Sequence, residues 1–529
     1  MFQNSPARGP AAPPAERERL HMAEEQNHSL PADGQDTMMV YINPQLIQSL
    51  ADVSAKKERS FRELLDAAEE GDLDAQYRAA MAFCNGTDGA PRDEALAFQW
   101  FTRAAEGDYI AAQYGLGMCY GRGIGTEKDP VRAAQLLAQA AEQGYPPAQC
   151  ELGLCYEMGA GVEMDKERAA ELYREAAEQD LPSAQCNLGF FYYRGIGVEL
   201  DEQEAAAWFD KAARQGHPRA QTLLGECYEA GRGVERDVNR AVELYRAAHE
   251  QHFDAGTCAL GVCYDQGIGV EQDEKRAAEL YRQCAEQGYA RGQFLLGQSY
   301  DQGSGVDRDE ARAAELYRQA HEDDYPPATC ALGLCCELGT GVERDLPRAV
   351  ELYRQAAEAG DARAQCNLGY CYYRGIGVEE DNDQAAAWFE KSAAQGHARA
   401  LFLLGQCCEA GYGVEQDLER AAQLYAQSDE KGHPQGTCAL GLCYELGRGV
   451  EMDKARAVEL YRKSAEAGEA RAQCNLGYCY YRGIAVAEDD AQAAHWFQLA
   501  AEQDYPRAQQ LLGECYDNGY GVERDEARA

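Results

Sequence analysis

A serine and a lysine stand three residues apart in the segment Ser54-Ala55-Lys56-Lys57, ahead of the repetitive part of the chain. A lysine one helical turn after a serine can take the hydroxyl proton and prepare the oxygen for acyl transfer. Enzymes that use this motif also carry SDN and KTG motifs, and neither occurs here. A chance match is therefore the alternative to a nucleophile at Ser54.

Histidines and cysteines are the other residues that could do chemistry. His249 and His252 lie three positions apart, whereas the zinc motif HExxH needs a spacing of four, so we interpret them as part of a surface turn. No CxxC pair occurs, and adjacent cysteines such as Cys335 and Cys336 are poor ligands for one ion. We expect no catalytic residue, no metal site and no cofactor.

The 21 cysteines leave three interpretations, namely disulfides, metal ligands or small buried hydrophobic residues. Pairs such as Cys150 and Cys155 are five residues apart, which is about 140° around a helix and about 7.5 Å along it. That separation excludes a disulfide within one helix. Burial beside a tyrosine is the interpretation that this spacing favours.

These residues lie in a chain that repeats itself. A block ending in Leu-Gly recurs every 36 residues without an insertion. A fixed period of this length predicts a solenoid in which one small element is stacked many times, because a single repeat cannot bury its own apolar face. The glycines of the block are Gly117, Gly153, Gly189, Gly225, Gly261, Gly297, Gly333, Gly369, Gly405, Gly441, Gly477 and Gly513.

Residues 147–182 show why one repeat forms two helices. Gly159 suits a left-handed cap after the first helix, and Asp165 stands where the N-cap of the second helix belongs. Gly153 lies inside the first helix, where glycine costs about 1 kcal/mol relative to alanine, so we expect a close approach of the partner helix there. The apolar positions at helical spacing are Ala148, Leu152 and Tyr156, then Ala169, Leu172, Tyr173, Ala176 and Ala177.

The recurring pattern resembles the Sel-like repeat, a relative of the tetratricopeptide repeat. The resemblance implies an all-α fold, an α/α superhelical solenoid of about twelve 36-residue helix-turn-helix repeats, with the first helix of each pair on the concave side. It also implies a role as scaffold or adaptor in protein complexes. The residues that carry it in one repeat are Ala364, Leu368, Gly369, Tyr372, Gly375, Gly377, Val378, Asp381, Ala385, Trp388, Phe389 and Ala393.

The cysteine-rich branch of this family adds two further expectations. Secreted members bridge the two helices of a repeat by a disulfide, but the second helices here hold almost no cysteine, Cys284 being the exception. That disulfide framework therefore does not carry over. A penicillin-binding or β-lactamase activity has also been proposed for that branch, and Ser54 would be its nucleophile in this chain.

The composition divides the chain into three parts. Residues 1–39 form a Pro/Ala-rich leader that we expect to be disordered. Residues 40–57 predict an amphipathic helix that either caps the solenoid or docks on something else. Residues 58–529 form the solenoid, with a divergent first repeat at 74–110, regular repeats over 111–529 and an incomplete last repeat.

The net charge of −40 bears on the partner. Such an acidic chain argues against nucleic acid and anionic lipid, and favours a protein or peptide partner of basic character. A simply solvated helix surface is the alternative explanation of the charge. The sequence has no run of about 20 apolar residues, so it does not predict membrane insertion. The N-terminal region lacks the apolar segment of a signal peptide. We therefore expect a cytoplasmic protein. The oligomeric state is left open.

Three repeats share the near-identical segments that begin at Cys186, Cys366 and Cys474, and they are the candidate binding sites. Block duplication alone would explain the identity, and so would a binding feature repeated along a groove. In a binding site, the asparagines would pair with the backbone of a peptide and the arginines with its carboxylates. In the structural alternative, the asparagines would cap contacts between helices and the arginines would neutralise nearby glutamates. The candidate residues are Asn187, Phe190, Tyr193, Arg194, Asn367, Tyr370, Tyr373, Arg374, Asn475, Tyr478, Tyr481 and Arg482.

The sequence thus predicts a non-catalytic scaffold that binds a protein or peptide along the concave face of a repeat superhelix. Two other functions remain as alternatives. One is a secreted effector that binds host proteins, and the other is the penicillin-binding or β-lactamase-like activity implied by the cysteine-rich relatives. A purely structural spacer would carry no binding site at all.

Overall fold

The computed structural model describes residues 60–525 together with residues 527 and 528. The leader expected at 1–39, the helix expected at 40–57 and Ser54 lie outside the described residues. Within the described part, α-helices alternate with turns and short links, and no strand occurs. The predicted all-α solenoid of helix-turn-helix repeats is confirmed.

The chain divides into two compact parts, with the boundary between Lys128 and Asp129. The described helices of the N-terminal part are α1 (residues 60–69), α2 (Leu73–Asn85), α3 (Glu94–Glu106) and α4 (Ile110–Arg122).

In the C-terminal part, first and second helices alternate. The second helices are α5 (Pro130–Glu142), α7 (Lys166–Glu178), α9 (Glu202–Arg214), α11 (Val238–Glu250), α13 (Glu274–Glu286), α15 (Glu310–Glu322), α17 (Leu346–Glu358), α19 (Asn382–Ala394), α21 (Leu418–Glu430), α23 (Lys454–Glu466) and α25 (Asp490–Ala501). The first helices are α6 (Pro146–Met158), α8 (Pro182–Arg194), α10 (Pro218–Ala230), α12 (Asp254–Gln266), α14 (Ala290–Gln302), α16 (Pro326–Leu338), α18 (Ala362–Arg374), α20 (Ala398–Ala410), α22 (Pro434–Leu446), α24 (Ala470–Arg482) and α26 (Pro506–Asn518).

Each first helix from α6 to α24 packs on the second helix of its own repeat and on the second helix of the repeat before, and α26 packs on α25. Some consecutive first helices, such as α10 and α12, also pack against each other, and consecutive second helices do so less. The first helices therefore lie on the side of the stack where neighbouring repeats are closest together.

Helix ends follow the sequence prediction. The side chain of Asp165 accepts a hydrogen bond from the backbone N–H of Arg168 at 2.9 Å, as an N-cap does. Gly159 ends α6 with a φ of 68°, in the left-handed region. These caps stop each helix within a few turns and leave a short link between the two helices of a repeat.

The Leu-Gly glycine inside each first helix from α6 to α24 lies directly against an aromatic ring of the second helix of its repeat. A Cβ added at Gly153 would lie 2.8 Å from Cε1 of Tyr173, and one at Gly189 would lie 2.7 Å from Cδ1 of Phe209. The Tyr173 side chain is fully buried, and its hydroxyl donates to Glu157 at 2.6 Å. The predicted close approach is confirmed, and the ring explains the need for glycine.

Buried glutamines join successive repeats, a feature that the sequence analysis missed. Nε2 of the fully buried Gln185 donates to the carbonyl oxygen of Ala177 in the preceding second helix at 3.2 Å. Its Oε1 accepts from Nε2 of Gln215 at 2.9 Å, at the end of the second helix of its own repeat. The amide is thus paired on both sides, which lets a polar group sit at the junction between repeats.

All 21 cysteines are free thiols, and only Cys84 and Cys155 are partly exposed. Burial raises the pKa of the Cys150 thiol to about 11, in spite of a contact with Ser183 that lowers it. A thiol with so high a pKa stays protonated and unreactive at neutral pH. The interpretation as small buried hydrophobic residues is confirmed for the 19 buried cysteines.

Candidate functional site

Two of the candidate asparagines, Asn187 and Asn367, bridge three consecutive first helices, and Asn475 contacts one neighbouring first helix. Nδ2 of Asn187 in α8 lies 3.8 Å from Sγ of Cys150 in α6, and Oδ1 accepts from Nη1 of Arg219 in α10 at 3.1 Å. The corresponding distances for Asn367 are 3.7 Å to Cys330 and 3.4 Å to Arg399. Nδ2 of Asn475 lies 3.9 Å from Sγ of Cys438. The asparagines therefore hold neighbouring repeats together.

The arginine that meets the asparagine also covers the next candidate residue. The guanidinium of Arg219 lies 5.1 Å from the ring centroid of Phe190. Arg399 lies over Tyr370 at 4.9 Å in the same way, and Arg507 lies over Tyr478 at 5.2 Å. Each pair has the geometry of a cation–π contact.

Sequence reasoning missed these covering arginines because each belongs to the repeat after the one it completes. An arginine as second residue of α10, α20 and α26 was the signal that could have revealed them. The candidate site is thus built from two repeats and not from one.

The candidate tyrosines contact the link that follows the next first helix. Arg232 donates to the hydroxyl of Tyr193. In the second copy the ring of Tyr373 lies 6.3 Å from that of Tyr412, and in the third Tyr481 lies 5.9 Å from Tyr520. The three copies share a backbone arrangement but differ in this contact, which is polar in one and aromatic in two.

The candidate arginines Arg194, Arg374 and Arg482 are the last residues of α8, α18 and α24, and all three are exposed. A cation at this place favours the helix, because the C-terminal end of the helix dipole is negative. Within the described residues, no ion pair of 4 Å or less joins any of them to a carboxylate. No close ion pair among the described residues thus supports the alternative that they neutralise nearby glutamates, which stays a prediction.

An open cavity of about 380 Å³ adjoins the first copy of the site. Tyr193, Glu226 and Arg291 are among its lining residues. Burial raises the pKa of the Glu226 carboxyl above its usual value, and the nearby Arg291 opposes that shift. The Tyr245 hydroxyl, also in the lining, donates to Glu229 at 2.7 Å. Such a cavity can hold a polar side chain of a partner.

The repeat architecture and the sequence pattern identify the family. The sequence profile of the Sel1 repeat matches residues 73–109, 110–145, 146–181, 182–217, 218–252, 255–289, 290–324, 326–361, 362–397, 398–433, 434–469, 470–505 and 506–529.

The chain belongs to the Sel1 repeat family. The first segment matched is the divergent repeat, so that the family profile finds thirteen repeats where the sequence pattern indicated about twelve. Sel1 repeats form a scaffold typical of proteins that bind other proteins. A search among curated protein sequences returns no significant match.

Solved structures include similar Sel1 repeat proteins. The protective antigen c5321 of uropathogenic Escherichia coli is 34% identical, with 80% of this chain and 95% of that chain covered and a TM-score of 0.47. A Sel1 repeat protein from Oxalobacter formigenes is 30% identical over 46% of this chain and 96% of its own, with a TM-score of 0.42. The immunity protein Pa5087 of Pseudomonas aeruginosa is 23% identical over 41% and 83%, with a TM-score of 0.29.

Charge is distributed unevenly over the Sel1 repeats. The first helices from α2 to α26 together hold 11 arginines, no lysine and 13 acidic residues, whereas the whole chain has 50 basic and 90 acidic residues. No acidic residue at all occurs in α8, α18 or α24. The acidic excess therefore lies outside the first helices, and the candidate sites are locally basic.

Exposed apolar side chains lie on the first helix before each candidate site. Leu154 and Met158 in α6 are 44% and 66% exposed, and Leu334 and Leu338 in α16 are 36% and 60% exposed. Leu446 in α22 is 44% exposed. Their exposure was not predictable from the repeat pattern. We call the surface formed by exposed residues of the first helices in the C-terminal part, including these leucines and the candidate arginines, the first-helix face.

The two histidines considered for chemistry lie at a turn between two helices. His252 lies in the turn between α11 and α12 with a φ of 58°, and Nδ1 of His249 is 3.0 Å from the Thr257 hydroxyl. Over residues 60–525, no group of three or more histidine, cysteine or acidic side chains is placed to hold a metal ion. In the same part of the chain, no helix has the length and hydrophobicity needed to cross a membrane.

Proposed function

We propose that this Sel1 repeat chain is a non-catalytic scaffold that binds a protein partner on its first-helix face. The observation that carries the proposal is the presence, on one side of the stack, of exposed apolar residues and of arginines without a carboxylate partner among the described residues. Exposed apolar patches of this kind mark interaction sites on water-soluble surfaces. The second helices instead pair many of their arginines locally, as Arg168 does with Glu171 at 2.7 Å.

Curvature supports the choice of this face. Consecutive first helices pack closer together than consecutive second helices, and a stack that is tighter on one side bends toward that side. The first-helix face then becomes concave, which matches the expectation from the Sel-like resemblance. A concave surface can contact an elongated partner over several repeats at once.

The candidate residues take different roles in this proposal. Arg194, Arg374 and Arg482 contact the partner directly because they are exposed and have no ion pair with the described carboxylates. Asn187 and Asn367 position the covering arginines Arg219 and Arg399. The aromatic residues supply contact area at a small cost in side-chain entropy.

The basic partner that the net charge favours would be attracted to a surface other than the first-helix face. Since the acidic excess lies outside the first helices, a basic protein would be attracted to the second helices and links, not to the first-helix face. We retain that attraction as a long-range effect that raises the rate of encounter.

A cytoplasmic location is part of the proposal. Nineteen of the 21 cysteines are buried free thiols with no disulfide among them, and a reducing compartment keeps thiols in that state. A secreted effector would instead meet oxidising conditions. The β-lactam alternative depends on Ser54, and nothing among residues 60–525 adds a catalytic group to it.

Affinity capture with matched variants tests the proposed function. The bait is the full chain, compared with one variant carrying Arg194→Gln, Arg374→Gln and Arg482→Gln and with a control carrying Arg214→Gln, Arg348→Gln and Arg456→Gln. The control arginines are exposed on second helices and pair with neighbouring carboxylates, so their loss costs little stability.

We expect a partner that the full chain and the control retain and that the first-helix variant loses. Equal retention by all three baits, with equal helicity, would refute a role for the first-helix face. Loss from the control alone would place the binding surface on the second helices.

A further inference from the structure

The exposed apolar pair and the free arginine stand in register on neighbouring first helices. Leu154 and Met158 in α6 are each 36 residues before Phe190 and Arg194 in α8, so they occupy equivalent positions. Adjacent packed helices lie about 8–10 Å apart. One partner segment lying across the two helices could therefore reach both the apolar pair and the arginine.

This arrangement occurs three times, but in the third copy only Leu446 of the apolar pair is exposed, because Leu442 is half-buried. We call each copy a block, formed by the apolar pair of one repeat, the aromatic residue and free arginine of the next, and the covering arginine of the repeat after that. The blocks are Leu154, Met158, Phe190, Arg194 and Arg219; Leu334, Leu338, Tyr370, Arg374 and Arg399; and Leu442, Leu446, Tyr478, Arg482 and Arg507.

The glutamates next to the apolar pairs already have partners. Glu157, Glu337 and Glu445 each accept a hydrogen bond from the buried tyrosine of their own repeat, at distances of 2.6, 2.7 and 2.5 Å. A carboxylate that already accepts a hydrogen bond from a buried hydroxyl attracts a cation of the partner less strongly than a carboxylate without a partner does. Each block holds two arginines beside one such glutamate, so its arginines outnumber the carboxylate next to the apolar pair.

We propose that the blocks bind acidic amphipathic segments of a partner protein. Apolar side chains of the segment cover the pair Leu334 and Leu338, and its carboxylates pair with Arg374 in the second block. Arg399, which lies over Tyr370, presents a second cation beside it. This inference rests on the proposed function and names the chemistry of the partner.

The spacing of the blocks predicts how a partner with two acidic segments would gain affinity. The second and third blocks are 108 residues apart, which is three repeats, and the first and second are 180 residues apart, which is five. A partner with two such segments, joined by a linker that spans three repeats, would bind the second and third blocks together. Once one segment is bound, binding of the other becomes intramolecular. The overall affinity then exceeds that of either segment alone.

Selection from random linear peptides displayed on phage tests the charge prediction without knowledge of the natural partner. The immobilised bait is the full chain, and the enriched sequences are compared with the unselected library. We expect enriched peptides to carry aspartate or glutamate next to apolar residues. A selection dominated by lysine and arginine, or no enrichment at all, would overturn the inference.

Synthetic copies of the enriched peptides then locate the binding surface. A variant with Arg194→Gln, Arg374→Gln and Arg482→Gln should bind them about tenfold or more weakly, because each peptide loses a hydrogen bond from a charged donor. Changing Leu338 to serine should weaken binding to the second block. The control with Arg214→Gln, Arg348→Gln and Arg456→Gln should bind as the unchanged chain does.

The outcomes separate this inference from the proposed function. Basic peptides that lose binding in the first-helix variant would leave the function standing and refute the acidic partner. Peptides that bind all variants equally would refute both. Self-association of the chain in sedimentation experiments, abolished by the same variant, would assign the blocks to a second copy and overturn the inference.

Discussion

The guanidinium of Arg219 donates to Oδ1 of Asn187 at 3.1 Å and thereby connects two consecutive first helices. The same guanidinium lies over the ring of Phe190. The candidate site is for this reason a joint between repeats as well as a surface. Its residues divide into those that hold the joint and those, such as Arg194, that the joint leaves exposed.

Stability measurements should separate these two groups. We expect Asn187→Ala to lower the free energy of unfolding by about 1 kcal/mol, since it removes the acceptor for Arg219. Arg194→Ala should change it by less than about 0.5 kcal/mol, because the side chain is exposed. Urea denaturation followed by circular dichroism measures both. An equal loss from the two changes would show that Arg194 is also structural.

The glycine inside the first helix should not tolerate a methyl group. In an open helix, glycine to alanine stabilises by about 1 kcal/mol, but at Gly153 the new Cβ would meet the ring of Tyr173. We expect Gly153→Ala to destabilise the chain by about 1–3 kcal/mol, as overpacking does. Combining it with Tyr173→Leu should cost less than the sum of the two changes. A gain in stability from Gly153→Ala alone would contradict the account.

One repeat carries an alanine where the others have glycine in the link. Ala485 has a φ of 53°, in the left-handed region that costs a non-glycine residue about 1–2 kcal/mol. At the equivalent Gly449, a Cβ would lie 1.9 Å from the carbonyl oxygen of Leu418. We expect Ala485→Gly to raise the melting temperature and Gly449→Ala to lower it. Unchanged melting in the first variant would mean that the link relaxes around Ala485 without strain.

The carboxyl of Glu226 predicts a pH effect on stability. Its pKa in the folded chain is raised above the usual 4.5, first by burial and then by Glu229, against the influence of Arg291 and Arg232. The folded state thus binds this proton more tightly than the unfolded state, and the stability contributed by the protonated carboxyl is lost as the pH rises through the folded pKa.

Glu226→Gln should therefore stabilise the chain at neutral pH and give no such gain in acid below the unfolded pKa. The equivalent position in a later repeat is Gln406, and Gln406→Glu provides the matched reverse change. Thermal melting of both variants as a function of pH checks the sign. Stabilisation by Glu226→Gln that persists unchanged in acid would show that the charge is not the cause.

Local chemistry made much of the fold predictable from the sequence. The N-cap at Asp165 and the left-handed turn at Gly159 each depend on a few neighbouring residues, and the structure has both where the sequence predicted them. The 36-residue period then repeats these local features along the chain. The contact of Gly153 was predictable too, because a glycine inside a helix needs a packing reason.

Contacts between repeats were not predictable in the same way. Arg219 is 32 residues after Asn187, and no local rule connects them. The exposure of Leu154 was hidden because Leu152 and Leu154 are both apolar, and only the packed neighbours decide which of them faces the core. The buried amide of Gln185 gave no signal either, since glutamine is common on helix surfaces.

Site-specific photo-crosslinking tests the central claim most directly. A photoreactive amino acid replaces Leu338 on the first-helix face or Leu418 at the start of a second helix, which are 60% and 37% exposed. The two exposed leucines thus probe a first helix and a second helix separately. We predict crosslinks from position 338 to a protein partner, and none from position 418. Crosslinks from position 418 alone would contradict the claim that the first-helix face is the binding surface.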